Sequence, residues 1–144
     1  MFHGPKSARY RACVTASVDR TVAFERQWLD ETTWVDLARG FVTDPDEAYD
    51  HLAATVPWQT SRLWRYEKWV EEPRVSYGYQ AGQPAPHAVL DETLDVLQQQ
   101  YGVEFPGYSV LWYRDGNEGQ AFHRDRDLRY CADTLVAILT FGAR

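Results

Sequence analysis

His123 and Asp125 stand one residue apart in Phe122-His123-Arg124-Asp125-Arg126-Asp127. In extended backbone the side chains alternate between faces, so positions i and i+2 point the same way. An imidazole and a carboxylate placed like this can grip one metal ion. They supply two of the three ligands in the 2-His-1-carboxylate facial triad, which leaves positions on non-haem Fe(II) open for a co-substrate and O₂. Asp127 falls on the same face, or else pairs at the surface with Arg124 or Arg126. A lone H-x-D also occurs in many surface loops. His123-Arg124-Asp125 spells the H-R-D of a kinase catalytic loop as well, but Arg126 replaces its Leu and Tyr130 its magnesium-binding Asn. No Gly-rich loop or V-A-I-K strand lies upstream, which excludes the kinase reading.

Around this pair lie Tyr113-Arg114-Asp115-Gly116 before it and Leu139-Thr140-Phe141-Gly142-Ala143 after it, with Pro73-Arg74 and Tyr77-Gly78 further upstream. Taken together, roughly residues 34–144 resemble the AlkB family of iron- and 2-oxoglutarate-dependent nucleic-acid dealkylases. That family carries Y-x-x-G, H-x-D-x-[DE] and S-x-G-A elements at like spacing. The resemblance implies an α+β fold with a double-stranded β-helix (jelly roll) preceded by helices. It implies Fe(II) and 2-oxoglutarate as cofactors, O₂ as co-substrate, and alkylated DNA or RNA as partner, as a single strand or a flipped base. The expected reaction is oxidative removal of N-alkyl groups, by a protein that is monomeric at full length.

By the same resemblance His123 and Asp125 bind iron, Tyr113 hydrogen-bonds 2-oxoglutarate, and Asp127 contacts the exocyclic nitrogen of the damaged base. Arg74, Tyr77 and Tyr79 belong to the substrate side. Leu111 departs from the pattern, because the family has Asn two positions before the tyrosine. The loss of that one hydrogen bond weakens the co-substrate by about 0.5–1.5 kcal/mol. The family's third iron ligand and its 2-oxoglutarate-binding Arg are expected beyond Arg144, so the chain reads as an AlkB-like domain incomplete at its C-terminus. On its own it is expected to bind Fe(II) weakly, to be inactive and to self-associate. Two other readings stay open: a non-catalytic AlkB-like module that binds nucleic acid, and an oxygenase acting on a protein or small molecule.

At 144 residues the chain is one domain, with 1–30 as an N-terminal extension and 31–144 as the matching region. A net charge of −6 runs against the basic face that nucleic acid prefers. Local basic clusters compensate in part: Lys6, Arg9, Arg11, Arg20 and Arg26 near the start, then Arg62, Arg65, Lys68 and Arg74. No apolar run reaches the length of about 18 residues that a bilayer requires, and no signal-like segment opens the chain. Cys13 and Cys131 make no disulfide framework, which points to the reducing cytoplasm.

The elements that must position these residues are partly readable. Residues 21–30 suit a short helix or a strand, and Thr33–Val42 reads as one strand. Asp44-Pro45-Asp46-Glu47 opens a helix, with Asp44 as N-cap, Glu47 completing a capping-box-like pair, and Pro57 as stop. Tyr49, Leu52, Ala53 and Val56 form its apolar stripe, while His51 reads as a solvated helix position. A second helix spans 87–101, with Leu90, Leu94, Leu97 and Tyr101 on one face and Gly102 at its end. Tyr108–Arg114 alternates as a strand, Asp115–Gly119 turns, and Thr134–Phe141 is apolar on both faces like a buried strand. Six aromatics between 58 and 79 (Trp58, Trp64, Tyr66, Trp69, Tyr77, Tyr79) suit a lid that stacks on a base. Tyr77 and Tyr79 are its favoured members, against the alternative that most of them are core.

Overall fold

The structure, a computed structural model, describes residues 15–65, 67–120, 128 and 133–142. Its elements run β1 (Ser17–Val18), β2 (Glu25–Trp28), β3 (Trp34–Leu37), β4 (Val42–Thr43), α1 (Pro45–Thr55), β5 (Gln59–Arg65), β6 (Lys68–Gln80), α2 (Ala88–Tyr101) and β7 (Gly107–Trp112). All strand pairs are antiparallel, in three sheets ordered β1-β4, β2-β3 and β5-β6-β7. The chain is therefore α+β.

The expected strand over 33–42 is two strands. Gly40, at φ 70, turns the chain between them, and buried Phe41 drops into the core. β2 resolves the ambiguous stretch by pairing with β3 from Glu25↔Leu37 to Trp28↔Trp34. Across this ribbon the Arg26 guanidinium donates to both Asp36 carboxylate oxygens at 2.8 Å and lies 3.9 Å from the Trp34 ring centroid. Tyr101 of α2 also stacks on Trp34 and donates its hydroxyl proton to Asp36 at 3.0 Å.

α1 starts where Pro45 pre-sets the first helical φ. Ala48, Leu52 and Val56, four residues apart, are buried against Ala16, Val18, Phe41, Val89 and Leu90. The cap differs from expectation. Asp44 sits at φ 50, ψ 50 and its side chain makes no cap hydrogen bond, while Glu47 turns away from the helix start toward Ala16 and His87. α2 matches its expected span, with His87 as N-cap and Gly102 (φ 63) ending it in the left-handed conformation.

The three-stranded sheet lies against this helical core through Tyr77, Tyr108 and Val110. The β5–β6 hairpin closes on a two-residue loop between paired Arg65 and Lys68, where Glu67 takes the positive φ (60°) that such loops demand. Lower down, the register jumps from Thr60↔Val75 to Arg62↔Glu71, so β6 carries extra residues around Pro73. Proline lacks the ladder N–H, and a bulge is where a paired strand tolerates it.

Thr134–Phe141 is not a buried strand. No regular structure runs through 133–142, Ile138 is 83% exposed and Val136 is exposed as well. Only Leu139 and Phe141 pack on the core. An apolar run becomes a strand only when a neighbour accepts its backbone bonds, and among the described residues none does.

Two outcomes follow from these contacts. Asp44→Gly should raise the thermal midpoint, worth about 1 kcal/mol, because left-handed backbone disfavours the Cβ that Asp44 carries, whereas Asp44→Ala, which keeps a Cβ and removes no cap bond, should leave it nearly unchanged. A clear loss of stability in both variants would mean that the Asp44 side chain matters after all. Asp36 titrates below the usual carboxylate range, chiefly through the Arg26 hydrogen bonds and further through the Tyr101 hydroxyl, with burial opposing. A depressed folded pKa gives stability that is present above the unfolded value of about 3.9 and disappears as pH falls through the folded value. Asp36→Asn should therefore lower stability at neutral pH and flatten its decline below about pH 4, measured by denaturant unfolding across pH.

Candidate functional site

β6 and β7 carry most of the described candidate residues, and their pairing sorts them by face. Val75↔Trp112, Tyr77↔Val110 and Tyr79↔Tyr108 share the side that meets the helices; Ser76↔Leu111 and Gly78↔Ser109 share the other. Tyr77 packs against the core, and its ring lies 5.0 Å from that of Tyr79, which stacks on Tyr108 at 5.3 Å. The Tyr108 hydroxyl is driven up to about 12 first by burial and then by the charge of Asp91. These rings are committed to one another.

Arg74 and Tyr113 meet at the far end of the same strand pair. The Arg74 Nη1–H donates to the Tyr113 hydroxyl at 2.6 Å, and the guanidinium carbon lies 5.7 Å from the ring centroid. Arg74 is also 3.7 Å from Glu72, with its side chain mostly buried. Because the phenol oxygen accepts from arginine, its own proton points elsewhere and can be donated to an incoming carboxylate. Leu111, on the Tyr113 side of β7, is exposed and offers no hydrogen bond. A shallow depression of about 200 Å³ beside Arg74 is lined by Leu63, Val70, Glu71, Glu72, Pro73, Gly119 and Gln120. Downstream, Arg114 Nε–H and Nη2–H both donate to Glu118 Oε1, and Asn117 N–H donates to Asp115 at 2.8 Å, which forms the expected turn. His123, Asp125 and Asp127, the metal and base-contacting candidates, lie outside the described residues.

The structure thus joins Arg74 to Tyr113 and sets Tyr77 and Tyr79 on the opposite side of the sheet. Among the described aromatics between 58 and 79, the open ones are Trp64 and Trp69, which are paired across the hairpin at a ring distance of 5.5 Å and are 59% and 64% exposed. Sequence reasoning preferred the tyrosines. The available signal was position: Trp64 and Trp69 flank the tightest turn in the aromatic stretch symmetrically, and a hairpin tip has no layer above it. Trp58 is the opposite case, since it packs 5.3 Å from Trp112 and donates its indole N–H to the Ala53 carbonyl. Of the basic residues in this stretch, Arg62 is 3.7 Å from Glu71.

A second constellation was read past. Glu47 and His51, one turn apart on α1, converge with His87 at the start of α2. One donor atom from each lies within 4.8 Å of the others, so the group could hold a metal ion. His87 Nδ1 accepts from Val89 N–H at 3.1 Å, and its Nε2–H therefore donates to Glu47 Oε2, also at 3.1 Å. The same Glu47 oxygen accepts from Ala16 N–H at 2.8 Å. That backbone bond is the largest influence holding the Glu47 carboxyl below its usual range, with His87 adding to it and burial opposing. His51 is surface-exposed but not merely solvated. Its Nε2 meets the Pro86 carbonyl at 2.9 Å and its ring lies 5.0 Å from that of His87.

Compared with family models, curated proteins and solved structures, the chain matches none. Its resemblance to the AlkB pattern therefore rests on the motif residues themselves. No helix among the described residues is long and apolar enough to cross a membrane.

Proposed function

We propose that this chain belongs to an Fe(II)- and 2-oxoglutarate-dependent oxygenase of the AlkB type, which removes N-alkyl groups from nucleic-acid bases. The jelly-roll assignment belongs to the same proposal, with β5-β6-β7 as part of one of its sheets. The observation that carries the reading is the 2.6 Å bond from Arg74 to Tyr113. Two motif residues that the sequence left 39 positions apart meet, and they present a hydroxyl donor beside a cation. That pair fits an anionic co-substrate, since hydrogen bonds to charged groups contribute about 1.5–3 kcal/mol.

In this reading His123 and Asp125 hold the iron, which when bound activates O₂ for the oxidation. Tyr113 donates to a 2-oxoglutarate carboxylate, and Arg74 keeps the phenol oriented so that its proton faces outward. Asp127 receives the exocyclic N–H of the base. Exposed Trp64 and Trp69 suit the stacking role better than Tyr77 and Tyr79, whose rings pack on one another. Stacking contributes about 1–3 kcal/mol per base without reading sequence, which suits an enzyme that recognises a lesion.

The full-length protein should release formaldehyde and succinate from an N-methylated single-stranded oligonucleotide when supplied with Fe(II) and 2-oxoglutarate. Tyr113→Phe should raise the KM for 2-oxoglutarate about tenfold with little change in kcat, as loss of one charge-assisted bond predicts. Trp64→Ala and Trp69→Ala should each weaken oligonucleotide binding about tenfold while leaving the fold intact. Oligonucleotide binding without formaldehyde release, unaffected by His123→Ala, would instead identify a non-catalytic binding module. Turnover of 2-oxoglutarate with no nucleic-acid product would point to a protein or small-molecule substrate.

A further inference from the structure

None of Glu47, His51 and His87 is among the residues assigned to that proposed reaction, and the case for them is independent of it. We propose that the three side chains form a second metal site, for a zinc-class divalent cation bound by two imidazoles and one carboxylate. The ligand chemistry is right, because imidazole and carboxylate oxygen are both ordinary zinc donors. The geometry is close. With bonds of about 2.1 Å at tetrahedral angles, donors on one ion sit about 3.4 Å apart. Glu47 Oε2 and His87 Nε2 are already 3.1 Å apart, and all three donors fall within 4.8 Å. Only His51 has to swing inward. It is exposed on α1, one turn from Glu47, and its ring already abuts that of His87. His87 is only 6% exposed, so one side of the ion would be walled off, and the open side of the cluster would take water.

Binding here has a structural consequence that marks it. At present the ring proton of His87 is on Nε2, and Nδ1 caps α2 by accepting from Val89 N–H. A cation on Nε2 moves that proton to Nδ1, where it faces the Val89 N–H, and the cap is lost. Metal binding is thereby linked to opening the first turn of α2. The Glu47 carboxylate would keep Ala16 N–H on the oxygen it uses now or share the two oxygens between amide and ion.

The test uses Co²⁺ as a visible probe, with Zn²⁺ as competitor, on the chain carrying His123→Ala and Asp125→Ala so that the proposed iron site cannot contribute. One-to-one binding is expected, with a ligand-field spectrum in the visible region that Zn²⁺ abolishes. His51→Ala should weaken it by more than the roughly 10–100-fold loss that outer-sphere changes cause. His87→Asn should do the same while preserving an N-cap, which separates lost ligation from lost folding. In the otherwise unchanged chain, amide exchange at Val89 should accelerate when the ion binds. Absence of binding, or binding indifferent to His51→Ala and His87→Asn, would overturn the proposal. A Val89 amide that stays protected on binding would overturn the linkage to the helix.

Discussion

Two carboxylates hold the N-terminal edge of this molecule onto its helices. Ala16 N–H donates to Glu47 on α1 at 2.8 Å, and Val18 N–H donates to Glu92 on α2 at 2.9 Å. Between them Ser17 faces the other way and pairs with Thr43, so β1 is a strand with a peptide ladder on one edge and side-chain acceptors on the other. Buried backbone donors need partners, and a two-residue strand against two helices has no second strand to supply them. Without these acceptors Ala16 and Val18 could not sit in the core. With them, α1, α2 and the start of the chain share one apolar cluster, and the β5-β6-β7 sheet has something to lie against.

The same economy explains why Glu47 was misread. A glutamate three residues into a helix after Asp-Pro looks like a capping box, because local pattern is all that a sequence displays. In the folded chain its partners are 31 and 40 residues away. His87 was placed at the helix start correctly, but nothing in the spacing said that its imidazole would cap the helix itself. Both are long-range matters, invisible to periodicity. By contrast, α2 was legible almost to the residue: its apolar positions recur at helical spacing, and Gly102 supplies the left-handed stop. The alternation of β7 was legible as well, since Tyr108, Val110 and Trp112 share one face, and the fold decides that this face meets the core.

The candidate site was legible in kind more than in arrangement. Arg74 and Tyr113 came from separate elements of one motif with different expected roles, and the fold brings them into direct contact. Tyr77 and Tyr79 came from the same motif region, yet the pleat sends them to the helix side, because Val75, Tyr77 and Tyr79 alternate away from Ser76 and Gly78. Composition identifies an aromatic stretch; only register decides which rings see solvent. Thr134–Phe141 failed differently. Apolarity on both faces is necessary for a buried strand but does not provide the neighbour that completes it.

The bulge at Pro73 divides the longest strand into two mechanical regimes. Above it, residues 75–80 of β6 have β5 or β7 alongside and the helical core beneath. Beyond it, among the described strands, the ladder from Arg62↔Glu71 to Arg65↔Lys68 joins β5 and β6 alone, and it carries the Trp64–Trp69 edge contact and an exposed ion pair. Isolated ribbons of this kind are only marginally stable in water. Pro73 thus marks where the support of the helical core ends and the hairpin tip begins. Anything that clasps the two indoles would order that ribbon, and the core below would scarcely register the change.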